Sequence, residues 1–226
     1  MKPVTLKPPA PFIRQPTHLA ALTGLFLLLA RYLQQQEAGL MWGALALLTA
    51  AVHQGLVAGV WRYTLFTPLP GAKRLKRRIR CFAVFFALFL ASRLAMTVAA
   101  SLWTGGKLLL PKSLRWAAMG LIILLAGWTY YSVIRYFGMF RALGADHFVP
   151  AYRQKPFVAK GVFRYTSNAM YTFGTLVFLL PGLWLQSRGG LAVGLYHYLA
   201  IWIHYWATEK PDIAMIYHGA LNKHQH

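Results

Sequence analysis

The feature that most constrains this chain is a series of long uncharged stretches, over 19–33, 40–60, 82–103, 116–134, 170–185 and 191–207. Most approach or exceed the ~18–20 apolar residues that carry a helix across a hydrocarbon core. Backbone N–H and C=O groups in lipid must be satisfied within the segment, so such stretches form helices. An all-α, polytopic integral membrane bundle follows. The stretches give about six transmembrane helices, and five or seven also fit the pattern. Composition agrees, with 58% hydrophobic and 12% charged residues, against roughly a quarter charged in soluble domains.

The charge balance sets orientation. Twenty-four Lys and Arg stand against four Asp and Glu, a net charge of +20. In a soluble chain this excess suggests nucleic acid, but no aromatic-interleaved basic motif occurs, and no nucleic-acid partner is expected. Basic loops instead hold membrane proteins to the cytoplasmic face and its anionic lipids. Lys73-Arg74-Leu75-Lys76-Arg77-Arg78-Ile79-Arg80 is the strongest such cluster. It places both termini in the cytoplasm, with the chain in a bacterial inner membrane or the endoplasmic reticulum. The single Cys81 excludes an internal disulfide framework. The basic residues ahead of the first apolar stretch resemble a signal sequence, yet no small-x-small site follows, so an uncleaved first span is expected.

Three regions result. Residues 1–16 form a proline-rich cytoplasmic arm, with the first helix starting near Thr17 as an N-cap. Residues 17–137 hold four membrane helices, the second stopping before Thr67-Pro68-Leu69-Pro70-Gly71. Residues 138–226 form the C-terminal region, a long inner connection followed by a membrane hairpin that turns at Ser187-Arg188-Gly189-Gly190.

Chemistry is expected from polar groups at membrane depth and from the inner connection, because intramembrane ionisable groups are costly. Arg93 lies in mid-span and should meet either backbone carbonyls of a neighbouring helix or a substrate. His53, His197 and His204 also fall within spans. The last two share a helix face but stand roughly 10 Å apart, too far for one metal ion, and no metal is expected. The carboxylates are few: Glu37 on the outer side, and Asp146, Glu209 and Asp212 on the inner side. Glu209 and Asp212 are read either as helix-end polarity or as acids kept for a cationic ligand.

Two segments bear on that choice: Lys160-Gly161-Val162-Phe163-Arg164-Tyr165-Thr166-Ser167-Asn168-Ala169-Met170-Tyr171 with Gly174, and Thr208-Glu209-Lys210-Pro211-Asp212 with Ile216-Tyr217. Together they resemble the C-terminal signature of the phospholipid N-methyltransferase and isoprenylcysteine carboxyl methyltransferase superfamily. Phe140-Arg141-Ala142-Leu143-Gly144 is similar to the stretch that precedes that signature. Ala169 stands where the family usually has proline, and Lys210 replaces its second glutamate. The resemblance covers 135–217 and implies an S-adenosyl-L-methionine-dependent methyltransferase, with the hairpin forming a cofactor pocket on the cytosolic side. By carry-over, Tyr165, Asn168, Met170, Tyr171, Gly174, His204, Glu209 and Tyr217 bind the cofactor.

The Asn-x-Met-Tyr pattern is similar to the branch that methylates the amine of phosphatidylethanolamine. Such an amine must lose a proton before attack, and His147 and Asp146 are the candidate acceptors, with Tyr171 beside them. Arg93, Arg153, Lys155 and Lys160 are candidates for holding the membrane lipid substrate. Alternatives are a prenylcysteine-type carboxyl methyltransferase and a non-catalytic lipid-binding protein. A sterol-type reductase and a transporter fit the motifs less well. Oligomeric state is left open.

Overall fold

A computed structural model describes residues 13–35, 40–68, 70–104 and 106–221; most of the N-terminal arm and Glu37 lie outside them. The described residues are all-helical, with an isolated bridge between Lys107 and Ser187. Four helices are long and apolar enough to cross a membrane. These are α1 (Gln15–Gln34), α2 (Leu40–Phe66), α3 (Ala72–Trp103) and α4 (Lys112–Ser132), the last running on through a π turn at Val133–Phe137. A connection of one-turn helices follows. The hairpin then has a first arm, Ala169–Trp184, and a second arm, Arg188–His204. The terminal helix, Lys210–Leu221, continues the second arm after a π turn at Tyr205–Glu209.

Three sequence expectations need correction. The first helix begins at Gln15 with Pro16 in its first turn, not at a Thr17 cap; proline's fixed φ and missing N–H suit that position. The basic run Lys73–Arg80 is not a loop but the opening of α3. Lys and Arg are good helix formers, and their long stems let the charges reach beyond the apolar boundary. The hairpin turn is also shorter than expected. Ser187 caps the second arm, its hydroxyl accepting from the Gly190 amide at 2.9 Å, a standard N-cap contact. Gly189 and Gly190 therefore lie inside the helix, where they let α3 approach. A Cβ on Gly190 would sit 2.1 Å from Ser101 Oγ.

Proline also shapes both hairpin arms. The first arm is 3-10 over Gly174–Leu179, directly ahead of Pro181. The π turn Tyr205–Glu209 directly precedes Pro211. Each proline removes an N–H and crowds the carbonyl four residues back, so the preceding turn departs from α geometry.

The second arm is the centre of the bundle. Val193, Tyr196 and Ala200 pack with Leu22 and Leu33 of α1, Ala46, Leu47 and Ala50 of α2, and Ala100 of α3. Small residues at these contacts allow the close packing that drives association of helices in lipid. Large apolar side chains such as Leu28, Phe85, Leu88, Leu124 and Ile134 point outward, as a lipid-facing surface requires. At one end of the bundle the Leu108 amide donates to Gln186 O at 2.7 Å. The opposite end gathers the end of α2, the connection and the terminal helix.

Candidate functional site

At that opposite end, α2 presents two faces to two polar groupings. Gln54, Val57 and Trp61 line a cavity of about 330 Å³ that reaches Arg93 of α3, Tyr130 of α4, and Met170, Tyr171, Gly174 and His204 of the hairpin. The next residue, Arg62, turns instead to the terminal helix, its Nη2 lying 3.0 Å from Asp212 Oδ1. The angle makes this an ion pair rather than a hydrogen bond.

The cavity has a cation at its depth. Arg93 is 2% exposed. Its Nε donates to His197 Nδ1 at 3.0 Å and its Nη2 to the His197 carbonyl at 3.4 Å. Nη1 lies 3.3 Å from His53 Nδ1, and the guanidinium stacks over Phe178. Of the two expectations for Arg93, the carbonyl contact is present, and the side chain also forms part of the cavity wall. Towards the hairpin end, the Tyr171 hydroxyl donates to Glu209. Trp61 Nε1 and both ring nitrogens of His204 are buried without a hydrogen-bond partner among the described residues. Buried polar groups of this kind cost about 1–3 kcal/mol each when unpaired, so the wall suits a ligand with polar groups of its own.

Beside the cavity lies a carboxylate–imidazole clamp. His147 is 2% exposed and stacks on Trp61 with ring centroids 4.2 Å apart. Its Nδ1 faces Asp146 Oδ1 at 3.0 Å and its Nε2 faces Asp212 Oδ2 at 3.3 Å. Asp146 Oδ2 accepts from the Tyr217 hydroxyl at 2.9 Å, and Arg153 Nε donates to the Asp146 carbonyl at 2.8 Å. Burial alone would lower the His147 pKa, but its hydrogen bonds to both carboxylates outweigh it and raise the value to about 9. Burial alone would raise that of Asp146, but the contacts with His147 and Tyr217 lower it. Burial next to Asp146 pushes the Tyr217 phenol up to about 12. With two acceptors on its ring, His147 holds its proton at neutral pH and ties the connection to the terminal helix. Gly144 makes room for this. Its φ of 77° favours glycine, and a Cβ there would lie 2.5 Å from the Trp61 ring.

The candidate residues from the sequence therefore divide. Met170, Tyr171, Gly174, His204 and Arg93 line the cavity, and Glu209 reaches it through Tyr171. Asp146, His147, Arg153 and Tyr217 form the clamp, outside the cavity wall. Asn168 caps the short helix that starts the first arm, with its carbonyl accepting from Thr172. Tyr165 is 73% exposed and packs edge-on against Trp128. Lys155 and Lys160 are exposed, Lys155 lying over the Tyr152 ring. Sequence reasoning missed Trp61 and Arg62. The signal was an arginine just inside the end of a span, beside an aromatic residue that α2 turns inward.

The fold and site define a helical membrane protein with a cavity between its helices and three carboxylates at one end of the bundle. Residues 114–220 match the family model described as phospholipid methyltransferase, in agreement with the superfamily that the motifs resemble. The match takes in α4, the connection, the hairpin and the terminal helix. No curated protein and no solved structure matches the chain.

Proposed function

We propose that the protein is an S-adenosyl-L-methionine-dependent methyltransferase whose acceptor is a membrane lipid, most simply the amine of phosphatidylethanolamine or its methylated derivatives. The observation that carries this reading is one cavity walled by the motif residues Met170, Tyr171, Gly174 and His204, with Glu209 held against Tyr171. The same reading has the hairpin arms crossing the membrane as fifth and sixth spans, both termini in the cytoplasm, and residues 138–226 acting as the methyltransferase region. The basic run at the start of α3 would face anionic lipids of the inner leaflet.

The residues present suit the cofactor. Glu209 supplies a carboxylate for its cationic amino-acid end, and the partnerless imidazole of His204 belongs to the otherwise mainly apolar wall. The bound cofactor would supply an activated methyl group, and its transfer demands mainly positioning. Positioning falls to this chain. Tyr171 orients Glu209, Trp61 closes the cavity towards the clamp, and the clamp fixes the terminal helix. A lipid ammonium must shed a proton first, and His53 and His204 are the imidazoles that line the cavity. His147 is already doubly occupied by carboxylates, so its part is to hold structure.

The test is transfer of labelled methyl groups into lipid by purified protein in bilayers containing phosphatidylethanolamine. Labelled mono- or dimethylated ethanolamine lipid, lost in Glu209→Gln, is the expected result. Label appearing only on a prenylcysteine acceptor would replace the amine reading with the carboxyl one. Neither product, with no cofactor binding, would refute methyl transfer.

A further inference from the structure

A second recess, of about 790 Å³, runs between α1 and α2 and is larger than the candidate cofactor cavity. It lies on the face of α2 that carries Ala51, Gly55, Ala58 and Gly59, opposed by Leu22 and Phe26 of α1. Small residues spaced this way usually let a neighbouring helix press close. Here α1 does not fill the space, since a Cβ on Gly55 or Gly59 would meet nothing within 4 Å. The recess follows α2 from Leu48 to Phe66 and ends at Thr67 just beyond it. From Leu48 to Arg62 alone the rise is roughly 21 Å, longer than the ~15 Å depth of one leaflet's hydrocarbon.

The other end of this trough is polar. His18 and Arg62 line it and are 4% and 6% exposed. Arg62 Nη2 is engaged with Asp212 and lies 3.4 Å from the Thr208 carbonyl. Its Nε and Nη1, and His18 Nε2, have no hydrogen-bond partner among the described residues. A guanidinium with two nitrogens lacking acceptors matches an oxyanion, and phosphate geometry suits it best.

We propose that this trough is a binding site for a diacyl phospholipid, with one acyl chain along Ala51–Gly59 and the phosphate accepting from Arg62 and His18. The site belongs to α1 and α2, outside the segment matched by the family model, and does not depend on the methyl-transfer reading. A second copy of this chain fits the trough less well. The Gly55–Gly59 spacing would seat a helix, but a chain with four acids against twenty-four bases, two of those acids already held in the clamp, has little to offer Arg62.

The test is native mass spectrometry of the delipidated full chain, supplemented in turn with dioleoylphosphatidylglycerol, dioleoylglycerol or inorganic phosphate. The phospholipid should form a one-to-one adduct that survives activation, while the other two should not. Gly55→Leu and Gly59→Leu project side chains into the trough from positions where a Cβ meets nothing within 4 Å. Each should lower adduct occupancy at least tenfold without lowering the melting temperature. Equal occupancy in the filled variants, or an equal dioleoylglycerol adduct, would overturn the proposal. So would a dimer in the parent that vanishes in the filled variants, which would assign the trough to a second copy.

Discussion

Raising the pH should release the terminal helix from the connection, because His147 holds them together as a cation. Its folded-state pKa is raised to about 9 from an ordinary value of 6.5. A raised pKa contributes stability that is fully present below the unfolded value and lost as pH climbs through the folded one. The clamp should therefore be strongest at and below pH 6.5 and weaken from there to about pH 9. Asp146, whose pKa is lowered, works in the opposite sense, contributing above its ordinary value near 3.8 and failing as pH falls through its lower folded value. At about 1.36 kcal/mol per pKa unit the His147 shift is worth on the order of 3 kcal/mol. Because His147 is 2% exposed, solvent screening takes little from that figure. For a local opening this means a roughly hundredfold or greater rise in the open population. Hydrogen exchange in lipid nanodiscs at pH 6 and pH 9.5, corrected for the intrinsic pH dependence, reads it directly. Amides of 145–153 and 210–217 should lose protection while those of α2 and α3 keep theirs. In His147→Gln the pH dependence should disappear and the low-pH protection should already be reduced. Equal corrected protection at both pH values, or the same pH dependence in His147→Gln, would refute the assignment of the proton to this clamp.

Other changes have equally specific outcomes. Asp212→Asn leaves Arg62 and His147 without their shared carboxylate and should cost about 3–5 kcal/mol, as breaking a buried pair does, read as a lower melting temperature in detergent; an unchanged melt would mean the pair contributes nothing. Gly194→Ala places a Cβ 2.4 Å from the Phe178 carbonyl oxygen and should destabilise the hairpin by about 1–3 kcal/mol. Gly120→Ala, where a Cβ meets nothing within 4 Å, is its control and should raise stability slightly through helix propensity. Glu209→Gln should weaken S-adenosyl-L-methionine binding at least tenfold by calorimetry with helicity intact, and retained affinity would remove Glu209 from the site.

How much of this was legible in the sequence depends on the type of signal. Uncharged length revealed the four long helices, because desolvation of a charge dominates every weaker preference at membrane depth. It located the ends less well: Lys73–Arg80 carries charge and still continues as helix, since charged stems can snorkel. The 3-10 and π turns were hidden because the apolar pattern of 170–185 and 191–207 contains no period that marks them; only Pro181 and Pro211 hinted at them. The resemblance named Tyr171, Met170, Gly174 and His204, which line the cavity, and Glu209, which touches Tyr171, all from the hairpin and its continuation. It was silent on the opposing wall, where Gln54, Trp61 and Arg93 come from helices distant in sequence. Tyr165 and the lysines 155 and 160, named from the same motif and from charge, stand on the outside.

Under the proposed function, charge accounting favours Glu209 over the neighbouring acids as the partner of a cationic ligand. Asp146 and Asp212 are near in space and buried, but each is already matched. Asp146 faces the protonated His147, and Asp212 lies between that imidazolium and the Arg62 guanidinium. Two acids and two cations cancel, and neither carboxylate keeps charge for a third partner. Glu209 meets only the neutral Tyr171 hydroxyl among the described residues. A phenol can orient a carboxylate but cannot neutralise it. The π turn that ends at Glu209 brings this acid to the hairpin's first arm, while the clamp one turn further on consumes the others. In a chain this basic, an acid without a cation is the arrangement in which an incoming sulfonium or ammonium gains the most, and the fold leaves it at the cavity's edge.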